Sequence, residues 1–293
     1  MENQKKVRKH RLVESHPVLA SILACILLFF LCQLIQIFVD RACTSFINGY
    51  DNGPVGLIVA APIVFLLYKW WFRPEFEGML KGDLPLGFRL CVIELIYVIV
   101  GALLGALANG TMLTFRPLTM TILVTSFTAG IVEEFSFRGV IVSTLMRQWK
   151  DLKKFRAAAL VSGIVFGLIH GSNIFVGADP LRTLFQVIGS IGLGIIFAAV
   201  YLRCGSIIPP MFFHTVHDII SIAAASDVTD SGLVTGAAGF GWANWADLVM
   251  EIGLGIFGWW LLRPEKHNEI KELWNRKWNV PVIPAKESAS DVK

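Results

Sequence analysis

The chain has 293 residues, of which 55% are apolar and only 16% are charged. Soluble domains carry about 25% charged residues, so the composition excludes an ordinary globule and argues against nucleic-acid binding. The net charge is +4, and the five cysteines have no C-x-x-C spacing, which argues against a zinc knuckle or a disulfide framework.

Eight apolar segments predict an all-α fold, a polytopic membrane helix bundle of about eight transmembrane helices in the lipid bilayer. About 20 apolar residues are needed to cross a bilayer as a helix. The predicted spans are 17–39, 54–72, 90–108, 118–137, 157–176, 183–202, 206–225 and 245–262. They form one transmembrane domain, 17–262, between a basic N-terminal segment, 1–16, and a tail, 263–293.

The distribution of basic residues predicts the orientation of this bundle. With eight spans both termini lie on one side, and that side holds 23 of the 26 Lys and Arg residues. The exceptions are Arg41, Arg116 and Arg182. Because cytoplasmic loops are enriched in basic residues, we expect a multi-pass protein of the cell membrane with both termini in the cytoplasm.

The tail contains a short amphipathic pattern. Ile270, Leu273, Trp274 and Trp278 recur at helical spacing among charged residues. This pattern predicts a helix that lies on the cytoplasmic surface of the membrane.

Polar residues inside the predicted spans fall into two groups. An ionisable group costs about 2.5–3.5 kcal/mol at the centre of a span, so each one needs a reason. Isolated residues, or residues near span ends, are interpreted as structural: Gln33, Gln36, Glu94, Asp247 and Glu251. The second group comes from three different spans and is a candidate site: Glu133, Glu134, Arg138, His170, His214, His217 and Asp218.

Glu133 and Glu134 are expected to have different roles. Adjacent residues on a helix diverge by about 100°, so the two carboxylates cannot face one partner. Glu134 and Arg138 are four apart in the favourable order for an ion pair. Glu133 is then left to accept a proton from water. A purely structural pair at a helix end is the alternative.

Two further pairs repeat the four-residue spacing. Phe166 and His170 share one helix face, and so do His214 and Asp218, with His217 beside them. A single histidine in a span is usually a hydrogen-bonded core residue. Three polar motifs on three spans point instead to a shared functional cavity.

The motifs Glu133-Glu134-x-x-x-Arg138, Phe166-x-x-x-His170 and His214-x-x-x-Asp218 resemble those of the CPBP intramembrane protease family. This family includes CAAX prenyl endopeptidases and bacteriocin-processing and lysostaphin-resistance proteins. The resemblance covers about 118–225. The last family motif ends in Asn or Asp. An ionised Asp could not donate to an oxyanion, so Asp218 would have to be protonated or to orient His214.

The resemblance implies an intramembrane endopeptidase whose substrate is a peptide or a membrane-protein segment. Glu133 and His170 would activate water, and His214 and Asp218 would stabilise the oxyanion. Glu134, Arg138 and Phe166 would position them. We expect no cofactor. A zinc-dependent version would use Glu133, His170, His214 and His217 as ligands.

Several alternatives stay open at this point. Peptide maturation, self-immunity to a bacteriocin and envelope regulation all fit such an enzyme, and the sequence specifies neither the substrate nor the oligomeric state. A non-catalytic membrane scaffold that binds a sensor or toxin receptor is the main rival, and a transporter is the third. The cavity is expected to open toward the cytoplasm. His170 would then lie too deep unless its span begins later or the fourth helix continues past Arg138.

Overall fold

A computed structural model describes residues 11–46, 55–72, 78–149, 154–225 and 240–277, and those residues are helical with connecting turns. The helices are α1 (Arg11–Ser15), α2 (Pro17–Phe46), α3 (Val55–Phe72), α4 (Leu84–Ala108), α5 (Met120–Thr128), α6 (Ser143–Gln148), α7 (Phe155–His170), α8 (Pro180–Cys204), α9 (Ile208–Ala224), α10 (Trp242–Leu261) and α11 (His267–Lys277). The all-α prediction is confirmed.

Five helices of the described chain are long and apolar enough to cross a membrane, and a sixth results if the bent pair Trp242–Leu261 and Pro264–Lys277 forms one span. The chain is therefore a multi-pass membrane protein. Each of the eight predicted segments coincides with a helix of the bundle. Eight complete crossings remain a prediction.

Local signals begin and end these helices. The Asp83 side chain accepts a hydrogen bond from the Leu86 N–H at the start of α4, and Asp179 accepts one from the Arg182 N–H at the start of α8. Such caps satisfy backbone donors that the first helical turn leaves free. Gly205, with a φ of 77°, ends α8 in the left-handed conformation.

Helix α8 lies at the centre of the bundle because glycines allow close approach on two sides. A Cβ at Gly163 of α7 would lie 2.9 Å from the Ile191 carbonyl oxygen, and one at Gly255 of α10 would lie 2.9 Å from the Gly192 Cα. Small residues at helix interfaces let backbones pack closely in membranes. The C-terminal half of α8 is accordingly buried.

The fourth predicted span is longer than expected. Helix α5 continues through π-helical turns over Ala129–Glu133 and Phe135–Val142 into α6, so that one helical segment runs over Met120–Gln148. The segment therefore continues past Arg138, which is one of the two alternatives left open by the sequence.

The amphipathic tail forms the predicted helix, α11, but its apolar face packs on the bundle. Ile270 and Trp274 are buried, and the Trp274 indole donates a 3.0 Å hydrogen bond to the Leu202 carbonyl. The Lys277 ammonium donates to the carbonyls of Gly78 and Lys81. The expected surface helix is thus docked on protein through these residues. Trp278, most of the predicted 1–16 segment and the tail after Lys277 lie outside the described residues.

Candidate active site

The Met120–Gln148 segment carries Glu133 and Glu134 near its middle. Both π-helical stretches meet at these two residues. π-helical turns are rare and often accompany functional sites. The two carboxylates point to different partners, as expected for adjacent helical positions.

Glu134 joins two cationic or protonatable side chains in the protein interior. One of its oxygens, Oε1, lies 3.0 Å from the Arg138 guanidinium and 2.8 Å from Nδ1 of His214, and the Glu134 and Arg138 side chains are fully buried. The Arg138 guanidinium also lies 4.2 Å from the Phe166 ring centroid. A buried charge needs such partners. Through the Arg138–Phe166 and Glu134–His214 contacts, the fourth predicted span is linked to the fifth and the seventh.

His214 presents its second nitrogen between two carboxylates. Nε2 lies 4.0 Å from Oε2 of Glu133 and 3.9 Å from Oδ2 of Asp218. Both distances exceed a direct hydrogen bond, so neither carboxylate is engaged by the imidazole. The orienting partner of His214 is therefore Glu134 at 2.8 Å. This assigns to Glu134 the orienting task that the sequence had offered to Asp218.

His170 ends α7 at the same cavity. Its Nδ1 lies 2.9 Å from the Phe166 carbonyl oxygen, which leaves Nε2 for the cavity. The Phe166 ring packs edge-on against both imidazoles, with centroids 4.9 Å from His170 and 5.7 Å from His214. The Phe166 ring therefore packs against the Arg138 guanidinium and both imidazoles.

The three motifs line one cavity of about 870 Å³, to which α4 and α10 also contribute. The wall includes Glu133, His170, His214 and Asp218. Carboxylates and imidazoles from separate helices thus line one shared cavity. Such convergent polar groups in a concave site are typical of an active site.

The cavity reaches the end of the bundle where α4 and α9 end and α8 and α10 begin. Its lining there includes Asn109, Arg182, Ala225 and Trp242. The topology predicted from the basic residues places this end away from the cytoplasm. The prediction that the cavity opens toward the cytoplasm is therefore wrong if that topology holds. The reason is that Glu133 lies in the middle of the Met120–Gln148 segment and not near its cytoplasmic end.

A second set of polar residues lies in the same region and was interpreted from the sequence as structural. Glu94 is fully buried and lies 2.8 Å from Nδ1 of His217. Tyr97 donates a 3.0 Å hydrogen bond to Asp247, and Glu251 also lines the cavity. The four-residue spacing of Asp247 and Glu251 on one helix face was the available signal for a shared location.

The residues named for zinc do not form a ligand set. In the described part of the chain, no group of three or more His, Cys, Asp or Glu side chains is placed to hold a metal ion. The Nδ1 atoms of His214 and His217 each lie 2.8 Å from a carboxylate instead. Glu133, His170, His214 and His217 share a cavity without converging on one point.

The sequence was also compared with known proteins. A protein-family profile described as type II CAAX prenyl endopeptidase Rce1-like matches residues 115–220. The matched stretch contains all three motifs, so the predicted resemblance is confirmed, and it indicates a membrane protease. No curated protein and no solved structure matches the chain.

Proposed function

We propose that the protein is an intramembrane endopeptidase in which Glu133 activates a water molecule to hydrolyse a peptide bond. The observation that carries the proposal is the position of His214 Nε2, 4.0 Å from Glu133 and 3.9 Å from Asp218 within one cavity. The match to a prenyl endopeptidase family over the same residues supports this class of reaction.

The Glu133 carboxylate is the proton acceptor in this mechanism. Its side chain is 20% exposed, whereas that of Glu134 is fully buried and committed to Arg138 and His214. Water in the cavity can therefore reach Glu133 but not Glu134. His170, through its free Nε2, holds the same water. The hydroxide formed attacks the carbonyl carbon of the substrate.

His214 stabilises the oxyanion that follows this attack. In the imidazolium form, the Nδ1–H of His214 donates to the buried Glu134 carboxylate, which fixes the ring, and the second proton, on Nε2, points into the cavity. A preorganised donor in a site of low dielectric stabilises developing negative charge strongly. Asp218 contributes as a donor when it carries a proton.

The substrate is a peptide or a segment of a membrane protein that enters from the bilayer. An aromatic cluster of Phe185, Phe240 and Trp245 stands beside the cavity, with two ring pairs 4.8 Å apart. Such a surface accommodates apolar side chains or a prenyl group. We place the protein in the cell membrane with both termini in the cytoplasm. The identity of its substrate decides whether it serves peptide maturation or envelope regulation.

The test is cleavage of a library of internally quenched peptides, with and without a farnesyl group, by purified protein in detergent. General base catalysis contributes about 10²–10⁴-fold, so Glu133→Gln should lower cleavage by that factor at unchanged folded yield. Glu265→Gln, which alters an exposed carboxylate, is the matched control. A chelator should have no effect, since we propose metal-independent hydrolysis.

Full cleavage by Glu133→Gln would contradict the proposal and favour a non-catalytic scaffold. Loss of cleavage on chelation would instead support the zinc-dependent version.

A further inference from the structure

His217 forms a second carboxylate–imidazole pair beside the proposed catalytic one. Glu94 of α4 is fully buried, and its Oε1 lies 2.8 Å from Nδ1 of His217. The Tyr97 ring stacks on the imidazole at 5.7 Å with an interplanar angle of 26°. His217 is only partly buried and lines the cavity. Its position is thus fixed from two sides while Nε2 is left for the cavity.

The two pairs share one construction. In each, Nδ1 of an α9 histidine lies 2.8 Å from a fully buried glutamate of a neighbouring helix. His214 and His217 are three residues apart, which brings their Cβ atoms to about 5–6 Å on a helix. One cavity therefore holds two oriented imidazoles at neighbouring positions of α9.

We propose that His217, held by Glu94, is the general acid that protonates the leaving amine. The inference rests on the proposed peptidase function and adds a task to it. Peptide hydrolysis needs a proton donor because the departing nitrogen would otherwise leave as an amide anion. Glu133 and His214 already have the tasks of base and oxyanion donor, and His217 supplies a second proton donor in the same cavity.

The step balances as follows. Glu133 takes a proton from water, and the hydroxide oxygen bonds to the carbonyl carbon to give a tetrahedral oxyanion. As the C=O bond reforms, the C–N bond breaks, its electron pair stays on nitrogen, and that nitrogen takes the proton of His217 Nε2. One proton then passes from Glu133 to His217 through cavity water, and both residues return to their starting state.

Carboxylates from three helices surround His217. Glu94 of α4 lies 2.8 Å from its Nδ1, and Asp218 on α9 and Glu251 on α10 line the same cavity. Opposite charges in an interior of low dielectric stabilise the imidazolium. The same pairing explains why Glu94 can be buried in a membrane span at all, since an isolated carboxylate there would be costly.

The test compares an amide with an ester. The library peptide that wild-type protein cleaves best is remade with an ester in place of the scissile amide. An alcohol leaves far more readily than an amine, so ester cleavage depends little on a general acid. His217→Gln should lower amide cleavage by about 10²-fold or more and change ester cleavage only a few-fold.

Two further variants sharpen the result. Glu94→Gln keeps a hydrogen-bonding group of the same size but removes the charge that stabilises the imidazolium, so it should also lower amide cleavage selectively. His16→Gln changes an exposed histidine far from the cavity and should leave both rates unchanged.

An equal loss of amide and ester cleavage in His217→Gln would overturn the inference and assign the pair to structure. Unchanged amide cleavage would overturn it as well. If wild-type protein cleaves no peptide at all, the proposed function fails and the inference fails with it, which is a separate outcome.

Discussion

At the scale of single residues, Glu134 carries two tasks that the sequence presented as one. It neutralises Arg138, and it orients His214 through Nδ1. The first task concerns stability, because a buried guanidinium without its partner is costly. The second concerns the proposed mechanism, because Nε2 of His214 then lies 4.0 Å from Glu133. Substitutions can separate these tasks.

Glu134→Ala should destabilise the protein by about 3–5 kcal/mol, because it leaves Arg138 charged and unpaired in the interior. The double variant Glu134→Gln with Arg138→Met removes both charges and should recover part of this loss. Cleavage should stay low in both, since His214 has lost its carboxylate. Unfolding in detergent and peptide cleavage measure the two effects, and a fully active double variant would contradict the orienting task.

At the scale of elements, the contact between the π-helical turns and α9 determines where His214 lies. A Cβ built at Gly130 would lie 2.7 Å from the Met211 carbonyl oxygen and would also clash with the Thr215 hydroxyl. The next turn of α9 carries His214, the proposed oxyanion donor. The close approach at Gly130 is therefore a condition for the spacing between Glu133 and His214.

Gly130→Ala should push α9 away from the π-helical turns. Overpacking of this kind costs about 1–3 kcal/mol and should lower cleavage by shifting His214. Gly253→Ala is the control, because a Cβ there has no neighbour within 4 Å and Gly253 does not line the cavity. Alanine is the better helix former, so this control should be neutral or slightly more stable. Thermal unfolding and cleavage of both variants provide the check, and equal behaviour would contradict the account.

At the scale of the whole molecule, the cavity reaches the end of the bundle that the predicted topology places away from the cytoplasm. Most of the basic residues are predicted to lie at the opposite end of the bundle, where Lys277 binds the turn before α4. Asn109 and Ala225 line the cavity at the other end of the bundle. The two ends can be told apart by which of them a reagent outside the cell can reach.

Cysteines placed at the two ends should react differently. In a background with Cys43→Ser, which removes the one native thiol of the described chain that is not buried, Asn109→Cys should react with a membrane-impermeant maleimide on intact cells. Lys81→Cys should react only after the membrane is made permeable. The reverse pattern would mean that the cavity faces the cytoplasm and that the orientation predicted from basic residues is wrong.

The sequence was sufficient for the helical segments and for bringing the three motifs to one cavity, because apolar runs and four-residue spacing reflect local geometry. It did not assign Asp247 and Glu251 to that cavity. It was insufficient for the Glu134–His214 and Glu94–His217 pairs, since each joins helices that are far apart in the chain. The sequence also left open whether the helix continues past Arg138. Polar residues there interrupt the apolar pattern, although the backbone remains helical to Gln148.

The measurement that tests the account most directly is a single turnover of wild-type protein on its best peptide in water enriched in ¹⁸O. Mass spectrometry then follows both the new carboxyl group of the product and the proteolytic fragment that contains Glu133. If Glu133 activates water, one ¹⁸O atom should enter the product and none should enter Glu133. Label in the Glu133 side chain, or a trapped acyl adduct on it, would contradict the account by showing that this carboxylate attacks the substrate itself.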